Sequence, residues 1–321
     1  IVADVARSRE TPVAFSTITP QKLQEIIAAQ DIPMVLNSTP GVYATTEGGG
    51  DGDAQVTIRG FSSRNVGVLL DGVPVNDMES GQVYWSNWFG LDAVTRSIQV
   101  QRGLGASKLA LPSVGGTINI ITKGLDSKKG GEFKQEVGAD GYIRTSIGYT
   151  SGILKNGWGI SAAGSYKRGN GWVEETWTKG FFYYLKIDKK IGDHTLALSA
   201  YGAPQSHAQR SYMLPIEHYD ADIARELGVP EKDITAVKDM GIKYNQHWGY
   251  LARTNENPNA TPEPYSERVN EYHKPQFTLK DSWVVNDKLF VSNILYASIG
   301  NGGGIRAKSA PSIDKETRRM E

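Results

Sequence analysis

From Gly131 onward the chain alternates apolar and polar residues in segments of about 8 to 12, set apart by turn residues, and this period of two limits the fold more than any other feature. Residues 194–201 are the clearest case, with Leu196, Leu198 and Ala200 on one face and Thr195, Ala197 and Ser199 on the other. Residues 160–166 repeat it with Ser161, Ala163 and Ser165 as a small, mildly polar face, and over 181–188 Phe181, Tyr183, Leu185 and Ile187 oppose Lys186 and Asp188. With further strands at 276–285 and 288–299, about seven strands are expected, turning near 140–141, 155–157, 169–171, 191–193 and 286–287. No apolar run approaches the ~20 residues that a membrane helix needs. Two architectures remain for this half, a soluble β-sandwich and a membrane β-barrel. Barrel strands alternate lipid-facing and lumen-facing residues, so they leave no hydropathy peak. Tyr142, Tyr149, Trp158, Tyr166, Trp172, Trp177, Tyr183 and Tyr201 fall near strand ends, where aromatic girdles belong, and short turns alternate with long connections such as 204–273.

Composition removes several function classes. Lys and Arg number 35, equal to Asp and Glu, so the basic excess of a nucleic-acid binder is missing. The cysteine count is 0, which excludes disulfides and thiolate metal sites. His194, His207, His218, His247 and His273 have no ligand-like spacing, and no serine sits in a nucleophile elbow. Neither a resident metal, a cofactor nor catalysis is therefore expected. The run Gly48-Gly49-Gly50-Asp51-Gly52-Asp53 lacks the lysine and hydroxyl of a phosphate loop and is too short for an EF-hand, so it reads as a flexible loop.

Residues 1 to about 125 follow a different grammar, that of a small α+β domain. Thr19-Pro20 predicts an N-cap and first helical position for a helix over 21–30, with Leu23, Ile26 and Ile27 as its buried stripe. A second short helix is expected over 32–38, ending before Thr39-Pro40-Gly41. Strands are expected at 55–59, 66–70, 97–101 and 117–122, with Asp71-Gly72 turning a hairpin.

Five motifs in this half come in a fixed order. They are Asn37-Ser38-Thr39-Pro40-Gly41-Val42, Val56-Thr57-Ile58-Arg59-Gly60-Phe61, Val68-Leu69-Leu70-Asp71-Gly72-Val73-Pro74-Val75, Ile98-Gln99-Val100-Gln101-Arg102-Gly103 and Gly115-Gly116-Thr117-Ile118-Asn119-Ile120-Ile121-Thr122. The set resembles the plug of TonB-dependent outer-membrane receptors. A plug domain over 1–125 followed by antiparallel transmembrane barrel strands over 126–321, with a long extracellular loop near 204–273, is the fold this implies. A 125-residue domain is roughly 35 Å across, and about 22 strands enclose a plugged lumen. Seven strands cannot close around it, so the chain is expected to be part of a longer protein, already trimmed or processed at Ile1.

The resemblance also implies function. Such receptors import a scarce nutrient (an iron-siderophore, glycan, peptide or similar) across the bacterial outer membrane, and plug rearrangement gates the barrel. Receptors of the Bacteroidota, many of which import glycans or peptides, look similar in style. Implied partners are the inner-membrane energy-transducing protein TonB, outer-membrane lipids, the ligand and a surface lipoprotein. Ile1, Val2, Ala3, Asp4 and Val5 would be the tail of the energy-coupling segment. Arg59 and Arg102 would join a plug–barrel charge cluster with barrel glutamates. Ligand would meet loops near 46–54, 62–65 and 77–88, where Arg64, Met78, Glu79, Gln82, Tyr84, Trp85 and Trp88 offer cationic, hydrogen-bonding and aromatic groups. The alternative is a passive porin or adhesin with a plugged barrel.

Overall fold

Thr19 is extended, its hydroxyl accepts the Lys22 amide at 3.4 Å, and Pro20 takes the first helical position, so helix α1 begins there in the computed structural model and runs over Pro20–Ile27. The structure describes residues 14–28, 30–46, 54–103, 113–210, 214–251, 259, 261–306 and 314. Leu23 and Ile27, one turn apart, are buried. Ile26 is 37% exposed, which corrects the expected three-residue stripe. At 3.6 residues per turn it lies about 60° round the helix from Leu23, on the opposite side from Ile27. The helix also ends at Ile27, short of residue 30, because Ala28 turns to a φ of 40°. Helix α2 covers Ile32–Val35 and tightens into a 3-10 turn over Leu36–Ser38.

These helices pack on a mixed five-stranded sheet. Its strands are β1 (Phe15–Ile18), β4 (Val66–Leu70), β5 (Val73–Pro74), β6 (Thr95–Arg102) and β7 (Gly116–Thr122), while β2 (Val42–Thr46) and β3 (Ala54–Ile58) pair separately. The order is β1-β6-β7-β4-β5, with only the β4–β7 pair parallel. Val66, Val68, Leu70, Ile98, Val100, Ile118 and Ile120 form the centre of the core. Strand β7 is buried along its whole length, as a strand covered on both faces must be. The β4–β5 hairpin turns on Asp71 and Gly72, both at positive φ (51° and 92°), which suits the Asp-Gly dipeptide.

The second half is an antiparallel wall. Strands β8 (Gly130–Val137), β9 (Ile143–Thr150), β10 (Trp158–Gly169), β11 (Thr178–Ile191) and β12 (His194–Gly202) follow one another as neighbours. Strand β12 runs on into β13 (Gln205–Ala208) across Ala203-Pro204. The long connection carries α3 (Ala221–Glu226), capped by the Asp220 carboxylate, α4 (Glu231–Thr235) and the paired strands β14 (Trp248–Leu251) and β15 (Glu263–Ser266). It returns as β16 (Val269–His273), kinks at Lys274-Pro275 into β17 (Gln276–Asn286), and ends in β18 (Leu289–Ser298) and β19 (Asn301–Ile305). The wall is therefore seven long strands, three of them kinked at one level. The turns 151–157, 192–193 and 287–288 lie at one end, and the other end carries 138–142, 170–177 and the long connection over 209–268.

The faces of this wall are inverted relative to a water-soluble sheet. Arg144, Ser146, Ser161, Ser165, Lys167 and Ser199 are buried against the first domain, whereas Ile147, Ile160, Leu185, Leu198, Leu279 and Leu295 are exposed on the other side. Apolar residues outward and polar residues inward is the pattern of strands that face lipid. Among the described residues no helix is long and apolar enough to cross a membrane.

Candidate functional site

The inner face of the wall grips the first domain through one buried ion pair. Gly90, at a φ of 86°, opens a 3-10 turn over Leu91–Ala93 and aims Asp92 at strand β9. Arg144 donates from Nη2 to Asp92 Oδ1 at 2.6 Å, with the two side chains 5% and 4% exposed. Its Nε donates to Ser165 Oγ at 3.0 Å, and Ser165 lies 2.8 Å from Ser146 Oγ. Glu136 stands 3.6 Å from Nη1 and pairs with Lys134 at 2.9 Å. A buried guanidinium needs this complete set of partners, since an unpaired one would carry the full cost of its lost hydration.

Further contacts line up along the junction. Thr122 donates its amide and hydroxyl to the Asp71 carboxylate at 2.9 and 2.5 Å, and its hydroxyl accepts from Tyr184 at 2.9 Å and Lys186 at 3.2 Å. Arg96 pairs with Asp126, Lys123 with Glu132 at 3.4 Å, and Gln24 donates to Glu132 at 2.6 Å. Aromatic rings carry the apolar share: Phe89 meets Phe182 at 6.4 Å, Trp88 meets Tyr201 at 5.9 Å, and Lys167 sits 4.3 Å over the Phe89 ring. A Cβ on Gly90 would collide with the Phe182 ring, so glycine sets how closely domain and wall approach there. A cavity of about 590 Å³ remains between them at the short-turn end, lined by Asp71, Arg96, Asp126, Lys186, Asp188 and Lys280 among others.

The 77–88 segment folds as a braced loop at the long-connection end. Asp77 Oδ1 accepts from Glu79 N at 3.2 Å, Ser80 N at 2.7 Å and Ser80 Oγ at 2.8 Å, and these bonds hold its carboxyl below the usual carboxylate range, helped by the charge of Lys274. Asn76 ties the loop to β4 by accepting Val68 N at 2.8 Å and donating to Val66 O and Gly81 O, both at 2.9 Å. Met78 and Glu79 are exposed, Tyr84 is 48% exposed and Gln82 half-buried. Exposed Arg64 lies beside this loop, since a Cβ on Gly81 would stand 3.5 Å from the Arg64 carbonyl oxygen. Trp85 and Trp88, expected on the loop surface, are instead in the core at 3% and 4% exposure. They sit at i and i+3 of a 3-10 turn, where side chains eclipse, so both point the same way, inward.

Arg59 and Arg102 share a corner built by Pro40-Gly41. Arg102 Nη1 donates to Pro40 O at 3.1 Å, the Arg59 amide donates to Gly41 O at 2.7 Å, and a Cβ on Gly41 would touch both side chains. Among the described residues neither has a carboxylate partner. Ile1, Val2, Ala3, Asp4 and Val5, and the glycine-rich run at 48–53, lie outside the described residues. The histidines are dispersed: His194 pairs with Asp281 at 3.0 Å, His247 with Glu267 at 2.8 Å, His273 contacts Tyr183 at 3.0 Å, and His207 lies 2.5 Å from Gln205. No group of three or more metal-ligating side chains occurs among the described residues.

Residues 7–117 match the model of the TonB-dependent receptor plug domain. The chain carries a TonB-dependent receptor plug. Among curated relatives, the probable TonB-dependent siderophore receptor PirA of Acinetobacter baumannii is 32% identical over 131 residues, covering 37% of this chain and 17% of that protein. The vitamin B12 transporter BtuB of Vibrio cholerae is 34% identical over 159 residues, covering 45% and 26%. Beyond the plug, the fold matches the closed form of the ferric-catecholate import receptor Fiu of Escherichia coli K12 with a TM-score of 0.67 at 14% identity, over 92% of this chain and 38% of that one. The wall strands are thus the same architecture as the barrel strands beside a plug, and the chain spans well under half the length of the receptors it matches.

Proposed function

We propose that this chain is the plug and the adjoining strands of an outer-membrane receptor that actively imports a scarce nutrient, such as an iron-siderophore, a vitamin, a glycan or a peptide. The observation that carries the reading is the inverted wall, polar and charged toward a plug domain and apolar away from it. A barrel open to solutes needs no such stopper, and a soluble enzyme would not expose its apolar strand face. The protein resides in the bacterial outer membrane, and the relatives named above are a receptor and a transporter.

In this reading ligand binds at the long-connection end, over Arg64, Glu79, Gln82 and Tyr84, with Trp85 and Trp88 fixing the loop from beneath. TonB then pulls on residues N-terminal to the described plug, beginning in the 1–5 region, and the plug rearranges along the Asp71 and Asp92 contacts. Arg59 and Arg102 hold their corner for carboxylates of further barrel strands. A surface lipoprotein would cover the ligand from outside. The test is uptake by cells expressing the full-length receptor, with and without a protonophore. Uptake that collapses when the proton-motive force is dissipated supports active transport. Uptake that persists unchanged identifies a passive pore.

A further inference from the structure

We propose that the outward face of the wall, at the long-connection end, holds the phosphate-bearing headgroup of a membrane lipid in a groove built by β10, β11, β13 and β16. This rests on the membrane reading above, because the face must meet a bilayer.

The outward column of each strand defines the bilayer boundaries. On β10 it runs Trp158, Ile160, Ala162, Gly164, Tyr166, Arg168, and on β11 the partners in register are Lys189, Ile187, Leu185, Tyr183, Phe181 and Lys179. Trp158 and the Tyr166–Phe181 pair are the two aromatic ends of an otherwise apolar band, as expected for interface girdles. Arg168 and Lys179 stand directly opposite each other one step beyond the outer girdle, and both are exposed.

Two cations at directly opposed positions repel and cost stability unless an anion joins them. The cation at the other end of the band is already satisfied: Lys189 donates to Asn156 O at 2.7 Å and lies 4.6 Å over the Trp158 ring. Among the described residues, Arg168 and Lys179 have no such partner. Next to them, the strands kink at Ala203-Pro204 and Lys274-Pro275, where Phe181 N donates to Pro204 O at 2.9 Å. The kinks open a groove of about 520 Å³ lined by Tyr166, Lys179, Phe181, Ser206, Glu271 and His273. His273 is held against Tyr183 at 3.0 Å, and Glu271 faces the far side of the groove, two strands from Lys179 in register. Lys179 in the groove and Arg168 directly opposite it on β10 set two positive charges against the one carboxylate of Glu271, so this corner of the groove is cationic, directly above rings suited to the top of an acyl chain. A phosphate headgroup with its chains lying over Phe181 and Tyr166 fits that order of chemistry, since cations just outside the hydrocarbon attract anionic lipid.

Native mass spectrometry of the delipidated full-length receptor tests this, with phosphatidic acid, phosphatidylcholine and inorganic phosphate as separate probes. The wild type is expected to retain phosphatidic acid at about five-fold lower lipid concentration than phosphatidylcholine. The R168Q/K179Q variant should lose that preference, and K189Q, at the opposite girdle, should keep it. Heat-modifiable gel mobility reports whether each variant is folded, and the single K179Q change, expected to fall in between, serves if the double variant is not. Equal retention of both lipids by the wild type, an unchanged preference in R168Q/K179Q, or equally tight binding of inorganic phosphate alone would overturn the proposal. A receptor that stays soluble without detergent would instead overturn the membrane reading beneath it.

Discussion

At the residue scale, Asp92 and Arg144 form the most deeply buried ion pair between plug and wall among the described residues. Removing one partner leaves a buried charge uncompensated, which typically costs about 3–5 kcal/mol. Asp92→Ala in the intact receptor should lower the stability of the docked plug by that order, read as an earlier plug transition in urea, and Asp92→Asn should cost less because it keeps an acceptor for Arg144. Asp77 supplies a pH signature. Its Ser80 hydrogen bonds hold its carboxyl below the ordinary 3.8, so its contribution is fully present above that value and is lost as pH falls through the folded one. Protection of the Glu79 and Ser80 amides from hydrogen exchange should therefore fall below about pH 4 in the wild type, and Asp77→Asn should flatten that dependence. Neither residue announced its role in sequence. Asp92 and Arg144 are 52 positions apart, and only strand register brings them together. A charged residue on the small polar face of a strand, as Arg144 is beside Ser146, was the one available hint that a partner must exist.

At the element scale, periodicity served the strands better than the short helices. Over 181–188 the alternation of Phe181, Tyr183, Leu185 and Ile187 against Lys186 and Asp188 matches outward and inward faces, because a period of two fixes side-chain direction wherever one face is buried. Strands β1 and β2 carried no such signal. They have four and five residues, and their burial depends on distant partners β6 and β3. Trp85 and Trp88 were legible as aromatic but not as inward, since that direction comes from a 3-10 turn with no cap signature. The turn at Gly90 yields a test of the same element. Gly90→Ala adds a Cβ at positive φ against the Phe182 ring and should destabilise the receptor by about 1–3 kcal/mol. Adding Phe182→Ala removes the clash but not the φ penalty, so the double variant should be more stable than the two single effects summed. Strict additivity in a denaturant series would place the strain elsewhere.

At the scale of the whole molecule, the plug is held by a wall whose outer side is oily and whose inner side is ionic, and the membrane reading above rests on that inversion. This chain has no cysteine of its own, so single introduced thiols can probe it in the intact receptor once any thiol elsewhere is replaced by serine. Spin labels at positions 160, 185 and 198 should report collisions with oxygen dissolved in lipid and exclusion of a water-soluble relaxation agent. Labels at 161 and 199 should show no lipid signature. If the 160, 185 and 198 labels meet the aqueous agent as freely as a loop position such as 287, the wall does not face a bilayer and the transport reading fails with it.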